Sequence, residues 1–255
     1  MKNKTRPLIL VSNDDGIYAK GVHALTDVMT VLGEVVTVCP AAPQSGKSMA
    51  ITSDTPLRII QTDDYNGAKM YKVNGTPVDC VKIAMHTILP RIPDLVVSGI
   101  NHGSNASVNA VYSGTVGAAF EGCAFGIPSI AFSIADYSPD ACFSHCLPFV
   151  KAITETVLGK GLPDGMALNV NFPKTLADNA CMRVTKGCKG RWTDEYREYT
   201  DPNGKKFYWL TGRFVNEEPD NTDTDEWCLA NGIVSIVPVA LDRTVHLQKD
   251  YFYNH

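Results

Sequence analysis

One segment, residues 8–16, constrains the fold of this chain most, because an apolar run of strand length ends there on two adjacent carboxylates. The run from Leu8 to Val11 is continuously apolar, which is typical of a parallel strand buried on both faces. Polar groups at the end of such a strand lie where open α/β sheets bind ligands. Asp14 and Asp15 repel each other unless a hard divalent cation lies between them. The alternative is a turn with a helix cap, because Asn-Asp-Asp-Gly also favours turns.

Strand-like and helix-like segments alternate up to about residue 172, which predicts a doubly wound, mostly parallel α/β sheet. Beyond residue 176 the chain has polar and aromatic β-like runs at 195–200 and 205–211, around the hairpin signal Asn203-Gly204. A last apolar strand is predicted at 232–239. We therefore predict an α/β core over residues 1–175 that carries the candidate site. The extension over 176–255 supplies a hairpin arm for oligomerisation and a final strand that returns to the core.

Composition excludes several classes of partner. The 255 residues carry a net charge of −4, so the chain has no basic footprint for a nucleic acid polymer or an anionic membrane. No apolar stretch is long enough to span a membrane, and the first one is too short for a secretory signal. The eight cysteines form no C-x-x-C pair. We expect a cytoplasmic protein, in which a small anionic substrate needs a metal or a helix N-terminus.

The motif Ser45-Gly46-Lys47-Ser48 suggests a triphosphate-binding loop, but the full pattern requires glycine at position 41, where this chain has Ala41. Pro43 also removes a backbone donor from the middle of the loop. We therefore disfavour a triphosphate loop. The hydroxyl of Ser45 can still complete the oxygen shell of a cation, and Lys47 can face a phosphate. The alternative is a mobile Ser/Gly loop without a role.

A second buried strand, from Leu95 to Ser98, is followed by the amides Asn101 and Asn105 in a glycine-containing loop. An amide oxygen is a neutral hard ligand for a cation, and an amide nitrogen donates to phosphate. Between them, His102 is a candidate acid or base, although a lone loop histidine is more often a solvated bystander.

The segment Tyr112-Ser113-Gly114-Thr115 is typical of a turn that leads into a helix. Ser113 and Thr115 are both good N-cap residues, and free N–H groups beside Gly114 would form an anion site without formal charge. Plain capping is the alternative, and it explains only one of the two hydroxyls.

Together these motifs resemble the SurE family (survival protein E, 5′-nucleotidase). The resemblance spans nearly the whole chain in the same order, with further matches in the C-terminal part. The matching segments are 13–16, 45–46, 75–81, 93–105, 112–119, 221–223 and 234–238.

The resemblance implies a Rossmann-like core with a C-terminal arm exchanged between subunits, which would make a homodimer or tetramer. It implies a metal-dependent phosphomonoesterase that hydrolyses nucleoside 5′-monophosphates, with 3′-monophosphates and short polyphosphate as further substrates. One divalent ion, Mg²⁺ or Mn²⁺, is expected. The implied metal ligands are Asp14, Asp15, Ser45 and Asn101. The implied phosphate-binding residues are Asn105, Ser113, Gly114 and Thr115.

Of these, Asp14, Asp15, Asn105 and Ser113 are the expected catalytic residues. A covalent phospho-aspartate route is disfavoured, because it usually requires two aspartates separated by one residue. A non-catalytic nucleotide or metal sensor stays open as the alternative, because a binding pocket and an active site can share the same residues.

Overall fold

The computed structural model describes residues 6–245, so the outer ends of the two predicted segments, 1–5 and 246–255, lie outside the described part. Within it, nine strands form one central sheet. They are β1 (Leu8–Ser12), β2 (Glu34–Pro40), β3 (Ile59–Gln61), β4 (Lys69–Val73), β5 (Leu95–His102), β6 (Ser129–Ile134), β7 (Met166–Phe172), β8 (Met182–Val184) and β13 (Val234–Ala240).

The sheet has the spatial order β3-β4-β2-β1-β5-β6-β7-β13-β8. Strand β1 lies inside it and pairs in parallel with both β2 and β5. The β3–β4 and β7–β13 pairs are antiparallel, and the other pairs of the sheet are parallel. All five residues of β1 are buried, as a strand covered on both faces requires. The predicted mostly parallel α/β sheet is therefore confirmed.

Helices cover both faces of this sheet. They are α1 (Lys20–Leu32), α2 (Pro77–Ile83) with a π-helical continuation (Ala84–Ile88), α3 (Asn109–Tyr112), α4 (Gly114–Ala124), α5 (Leu147–Lys160) and α6 (Asp225–Ala230). Side chains alternate along β1, so that Ile9 and Val11 pack with α1 and α5, whereas Leu8 and Leu10 pack with α2 and α4. Between residues 6 and 245 we find no helix with the length and apolar character of a membrane span.

The C-terminal extension forms two antiparallel ribbons besides its contribution to the sheet. Strand β9 (Gly190–Thr193) pairs with β12 (Arg213–Asn216), and β10 (Tyr196–Thr200) pairs with β11 (Lys206–Leu210). The predicted hairpin around Asn203-Gly204 is the β10–β11 ribbon, and every residue of its two strands is exposed. Residues 234–240 run beside β7, and residues 182–184 pair with them as the edge strand of the sheet.

Helix α6 begins at Asp225, at the end of the acidic stretch 216–226. Thr224 caps this helix by accepting a hydrogen bond from the Trp227 N–H at 3.3 Å, and the acidic first turn favours a helix N-terminus. Helix α2 begins at Pro77, ends at Ile83 and continues in π-helical form to Ile88.

Candidate active site

The carboxyl ends of the central strands meet at a pocket of about 210 Å³. Strands β1 and β5 pair in parallel with Ser12 opposite Ser98, so the residues that follow both strands emerge at the same edge. Five of the eight predicted site residues line this pocket, and the other three lie behind or beside it. The five are Asp14, Ser45, Asn101, Asn105 and Ser113.

Asp14 is buried, with 4% of its surface exposed, although it faces a polar pocket. The hydroxyl of Thr115 donates to Asp14 Oδ1 at 2.5 Å. Burial raises the pKa of the Asp14 carboxyl to about 6; the Thr115 hydrogen bond lowers it, and the charge of Asp15 raises it further. A carboxylate held out of water in this way is stabilised when a cation lies beside it.

Asp15 does not line the pocket and lies beside His102. The Asp15 Oδ2 atom is 3.4 Å from the backbone nitrogen of His102, which donates to it, and 3.6 Å from His102 Nδ1. The edge of the His102 ring contacts Phe143, with the ring centroids 5.0 Å apart. His102 is therefore a fixed part of the pocket wall, in contact with a predicted metal ligand, and not a solvated bystander.

Asn101 was expected in a loop but lies near the carboxyl end of β5, which continues to His102, and its side-chain nitrogen bonds to the backbone that follows it. It donates to the carbonyl oxygens of His102 at 3.2 Å and Gly103 at 2.8 Å. The amide oxygen is then the atom of Asn101 that remains for a cation, as the sequence prediction requires.

The loop that carries Ser45 is attached to two other parts of the site. The Gln44 N–H donates to the carbonyl oxygen of Asp14 at 2.7 Å. This hydrogen bond holds Gln44, the residue before Ser45, against the end of β1. The Ser48 N–H donates to the carbonyl oxygen of Tyr112 at 3.0 Å, next to the predicted phosphate-binding turn. Residues 41–58 contain no helix, so the strand–loop–helix context of a triphosphate-binding loop is missing there.

The N-terminus of α4 lies directly against Asp14. Ser113 caps the helix by accepting from the Val116 N–H at 3.1 Å, which leaves its own O–H for a ligand. A Cβ at Gly114 would lie 2.9 Å from the Asp14 Cβ, so only glycine permits this approach. The hydroxyl of Thr115 is committed to Asp14, so Thr115 can offer a phosphate only its backbone N–H.

Asn105 is buried and held by a network of amides. Its N–H donates to Asn171 Oδ1 at 2.8 Å, and its Nδ2 donates to Ser133 Oγ at 2.7 Å. Asn169 Nδ2 donates to the Asn105 carbonyl oxygen at 2.9 Å and is joined to Asn171 in turn. Sequence reasoning missed Asn169 and Asn171, although two asparagines in a buried strand run were a usable signal.

The charges around the pocket favour a hard cation. Among the described residues that line it, none is Lys or Arg. Nowhere in residues 6–245 do three or more His, Cys, Asp or Glu residues cluster as a metal site. The oxygen donors that line the pocket are instead the Asp14 carboxylate, the Ser45 hydroxyl and the Asn101 amide oxygen, with the Asp15 carboxylate beside it. Such donors suit Mg²⁺ or Mn²⁺ better than a soft metal. The donor set therefore fits the predicted ion.

Comparison with known proteins agrees with these features. The Survival protein SurE family matches residues 9–194. The chain is 50% identical over 248 residues to "5′-nucleotidase SurE" of Christiangramia forsetii, covering 96% of this chain and 95% of that protein. It is 46% identical over 243 residues to the protein of the same name from Phocaeicola vulgatus, covering 95% and 94%.

A solved structure gives the same result for the fold. The crystal structure of the SurE protein from Aquifex aeolicus superposes with a TM-score of 0.80 at 37% identity, and it covers 93% of this chain and 95% of that one. The resemblance inferred from the motifs is therefore confirmed. This chain belongs to the SurE family.

Proposed function

We propose that this chain is a metal-dependent 5′-nucleotidase, which hydrolyses nucleoside 5′-monophosphates to nucleoside and phosphate. One observation carries the proposal: a single pocket joins a buried carboxylate, neutral oxygen ligands and a helix N-terminus, and its described lining has no lysine or arginine. A phosphate dianion entering such a pocket meets Asp14 at close range. A divalent cation removes that repulsion. The printed names of the curated relatives support the same activity.

The residues that would hold the cation are Asp14, Asp15, Ser45 and Asn101. When bound, the ion supplies Lewis-acid polarisation of the phosphoryl group and of the attacking water. Thr115 fixes the orientation of the Asp14 carboxylate, and the His102 N–H restrains Asp15. These two contacts keep both carboxylates in place before a ligand arrives.

Asn105 and Ser113 would bind the phosphoryl oxygens, together with the N–H groups of Gly114 and Thr115. Hydrogen-bond donors already aimed at the site stabilise the charge that develops on those oxygens in the transition state. The amides around Asn105 and the cap of α4 by Ser113 preorganise these donors. The proposal includes 3′-monophosphates and short polyphosphate as secondary substrates of the same site.

We also propose that the protein is a homodimer or tetramer assembled through its C-terminal arm. The support is the exposure of the aromatic residues on β10 and β11, which gain burial only against another surface. A cytoplasmic location stays a prediction from the sequence.

Phosphate release from AMP by the full-length protein tests the proposal. We expect release with Mn²⁺ or Mg²⁺, none with excess EDTA, and recovery when the metal is restored. ATP should be a poorer substrate than AMP, because residues 41–58 do not form a triphosphate loop. AMP binding without phosphate release at any metal concentration would instead support the nucleotide-sensor alternative.

A further inference from the structure

A second groove opens beside the catalytic pocket and shares one wall with it. The groove has a volume of about 450 Å³ and lies between α3 and the base of the β10–β11 hairpin. Asn109, Tyr112 and Trp192 line both cavities. Alone, the pocket of about 210 Å³ is smaller than typical small-molecule sites of roughly 300–1,000 Å³, whereas the two together reach that range. A ligand can therefore extend from the pocket into the groove.

The shared wall is built around Trp192, which is fixed at two places. Its Nε1–H donates to Asn109 Oδ1 at 2.7 Å. Its ring meets Phe214 edge to face, with the centroids 6.1 Å apart, because β9 and β12 pair these two residues directly. Tyr112 immediately precedes the phosphate-binding Ser113. A planar aromatic surface is thus held beside the predicted phosphate site at little further cost in side-chain entropy.

The chemistry of the groove selects a neutral, planar group. Tyr112, Trp192, Tyr196 and Leu210 give it a largely apolar lining. Glu195 is its charged residue, and the described residues around both cavities include no lysine or arginine. A chain of further phosphates would be repelled by Glu195, whereas a heteroaromatic ring can stack on Trp192 or Tyr112.

We infer that the wall formed by Trp192 and Tyr112 binds the nucleobase of the nucleotide whose phosphate lies in the pocket. The inference rests on the proposed function, and it assigns substrate selectivity to a segment of the C-terminal extension. Trp192 is a specificity residue in this account: it contacts the base and does not touch the reacting phosphate.

The test compares AMP with ribose 5-phosphate, which has the same type of ester but no base, in the full-length protein with Mn²⁺. Wild-type protein should prefer AMP. Trp192→Ala should raise the KM for AMP roughly tenfold to a hundredfold, which is the effect of losing one aromatic–base stack. Its kcat/KM for ribose 5-phosphate should stay within about twofold. Trp192→Phe should recover most of the preference, because the aromatic face is kept.

Trp209→Ala is the matched control, because Trp209 is an exposed tryptophan of the neighbouring β10–β11 hairpin that lines neither cavity. It should leave the preference for AMP unchanged. An equal loss of both activities in Trp192→Ala would overturn the inference, because the ring would then be structural. The inference would also be overturned by unchanged kinetics in Trp192→Ala, or by equal use of both substrates in the wild-type protein. A change of mass of Trp192→Ala in light scattering, with unchanged selectivity, would overturn it too.

Calorimetric titration separates this inference from the proposed function. If the wild-type protein released no phosphate from AMP, the proposed function would fail. The base site would still predict AMP binding that weakens roughly tenfold to a hundredfold in Trp192→Ala and stays unchanged in Trp209→Ala. AMP binding that is indifferent to both changes would exclude the base site.

Discussion

The pocket at the carboxyl edge of the sheet and the β10–β11 hairpin differ in where their side chains find partners. In the pocket, the polar groups of Asp14, Asn105 and Ser113 are buried and hydrogen-bonded within the chain. On the hairpin, Tyr208 and Trp209 remain 58% and 63% exposed. The polar groups of the pocket are thus already partnered within the chain, whereas the aromatic residues of the hairpin would gain burial only against a larger surface. We therefore expect changes in the pocket to affect the phosphate chemistry, and changes to the exposed aromatic residues of the hairpin to affect assembly.

The largest effect should follow the loss of the buried carboxylate. Asp14→Asn should lower kcat/KM for AMP by at least roughly a hundredfold, because a cation supplies several kcal/mol of transition-state stabilisation. The melting temperature should not fall, since the change removes an uncompensated buried charge and keeps an acceptor for Thr115. Asp140→Asn is the control, because this exposed carboxylate pairs with Lys20 at the surface. Near wild-type activity in Asp14→Asn would move the metal site elsewhere.

A smaller effect should distinguish phosphate binding from helix capping. Ser113→Ala should lower kcat/KM roughly tenfold to a thousandfold, as for other lost transition-state donors. The lost cap of α4 should also cost about 1 kcal/mol of stability. Thr224→Ala removes the equivalent cap of α6 and should cause a similar stability loss with activity retained. If the two variants lost stability alike and neither lost activity in the folded fraction, Ser113 would be a cap alone.

Replacing residues 196–210 by a short Gly-Ser bridge tests the proposed role of the β10–β11 hairpin in assembly. The change keeps the β9–β12 ribbon but removes the exposed aromatic strands, so light scattering should show a smaller assembly than the intact chain. Asn203→Asp, at the tip of the turn, should leave the mass unchanged. A monomeric intact chain at micromolar concentration would refute the proposed oligomer, whatever the activity.

The smallest effect concerns a second carboxyl with a raised pKa. Burial and the neighbouring Asp225 raise the pKa of Glu226 from 4.5 to about 7. The folded protein therefore holds this proton more tightly than the unfolded chain does. The stabilisation that this tighter proton binding gives is fully present below about pH 4.5 and is lost as the pH rises through about 7. Glu226→Gln should therefore raise the free energy of unfolding by about 1–3 kcal/mol at pH 8 and by little at pH 4. Equal changes at both pH values, measured by denaturant unfolding, would contradict this.

The sequence predicted the strand ends of the site better than the parts that surround it. Asp14 lies two residues after β1 and Asn101 lies near the carboxyl end of β5, and parallel pairing brings such ends to one edge. The motif left Ser45 open between a cation ligand and a loop residue without a role, because its loop reaches Asp14 through a Gln44 backbone hydrogen bond that no side-chain pattern shows. Trp192 joins the pocket from the C-terminal extension. Its contact with Asn109 spans 83 residues and has no local signal.

The position of Thr115 shows a second limit. A helix-start motif predicts a hydroxyl at the phosphate, but the close approach of Gly114 to Asp14 turns the Thr115 hydroxyl to the carboxylate. Which of two neighbouring hydroxyls caps a helix, and which one restrains a ligand, depends on packing between elements far apart in sequence. Periodicity and turn chemistry do not contain that information.

Binding of Mn²⁺, measured by electron paramagnetic resonance on the full-length protein, tests the central claim most directly. The claim is that the strand-edge carboxylates hold one divalent cation, without which the pocket repels phosphate. We predict one bound Mn²⁺ per chain in the wild-type protein and in Asp140→Asn, a spectrum that changes when inorganic phosphate is added, and loss of this binding in Asp14→Asn. Equal Mn²⁺ binding by wild-type and Asp14→Asn proteins, or phosphate binding that is unaffected by EDTA, would contradict the account.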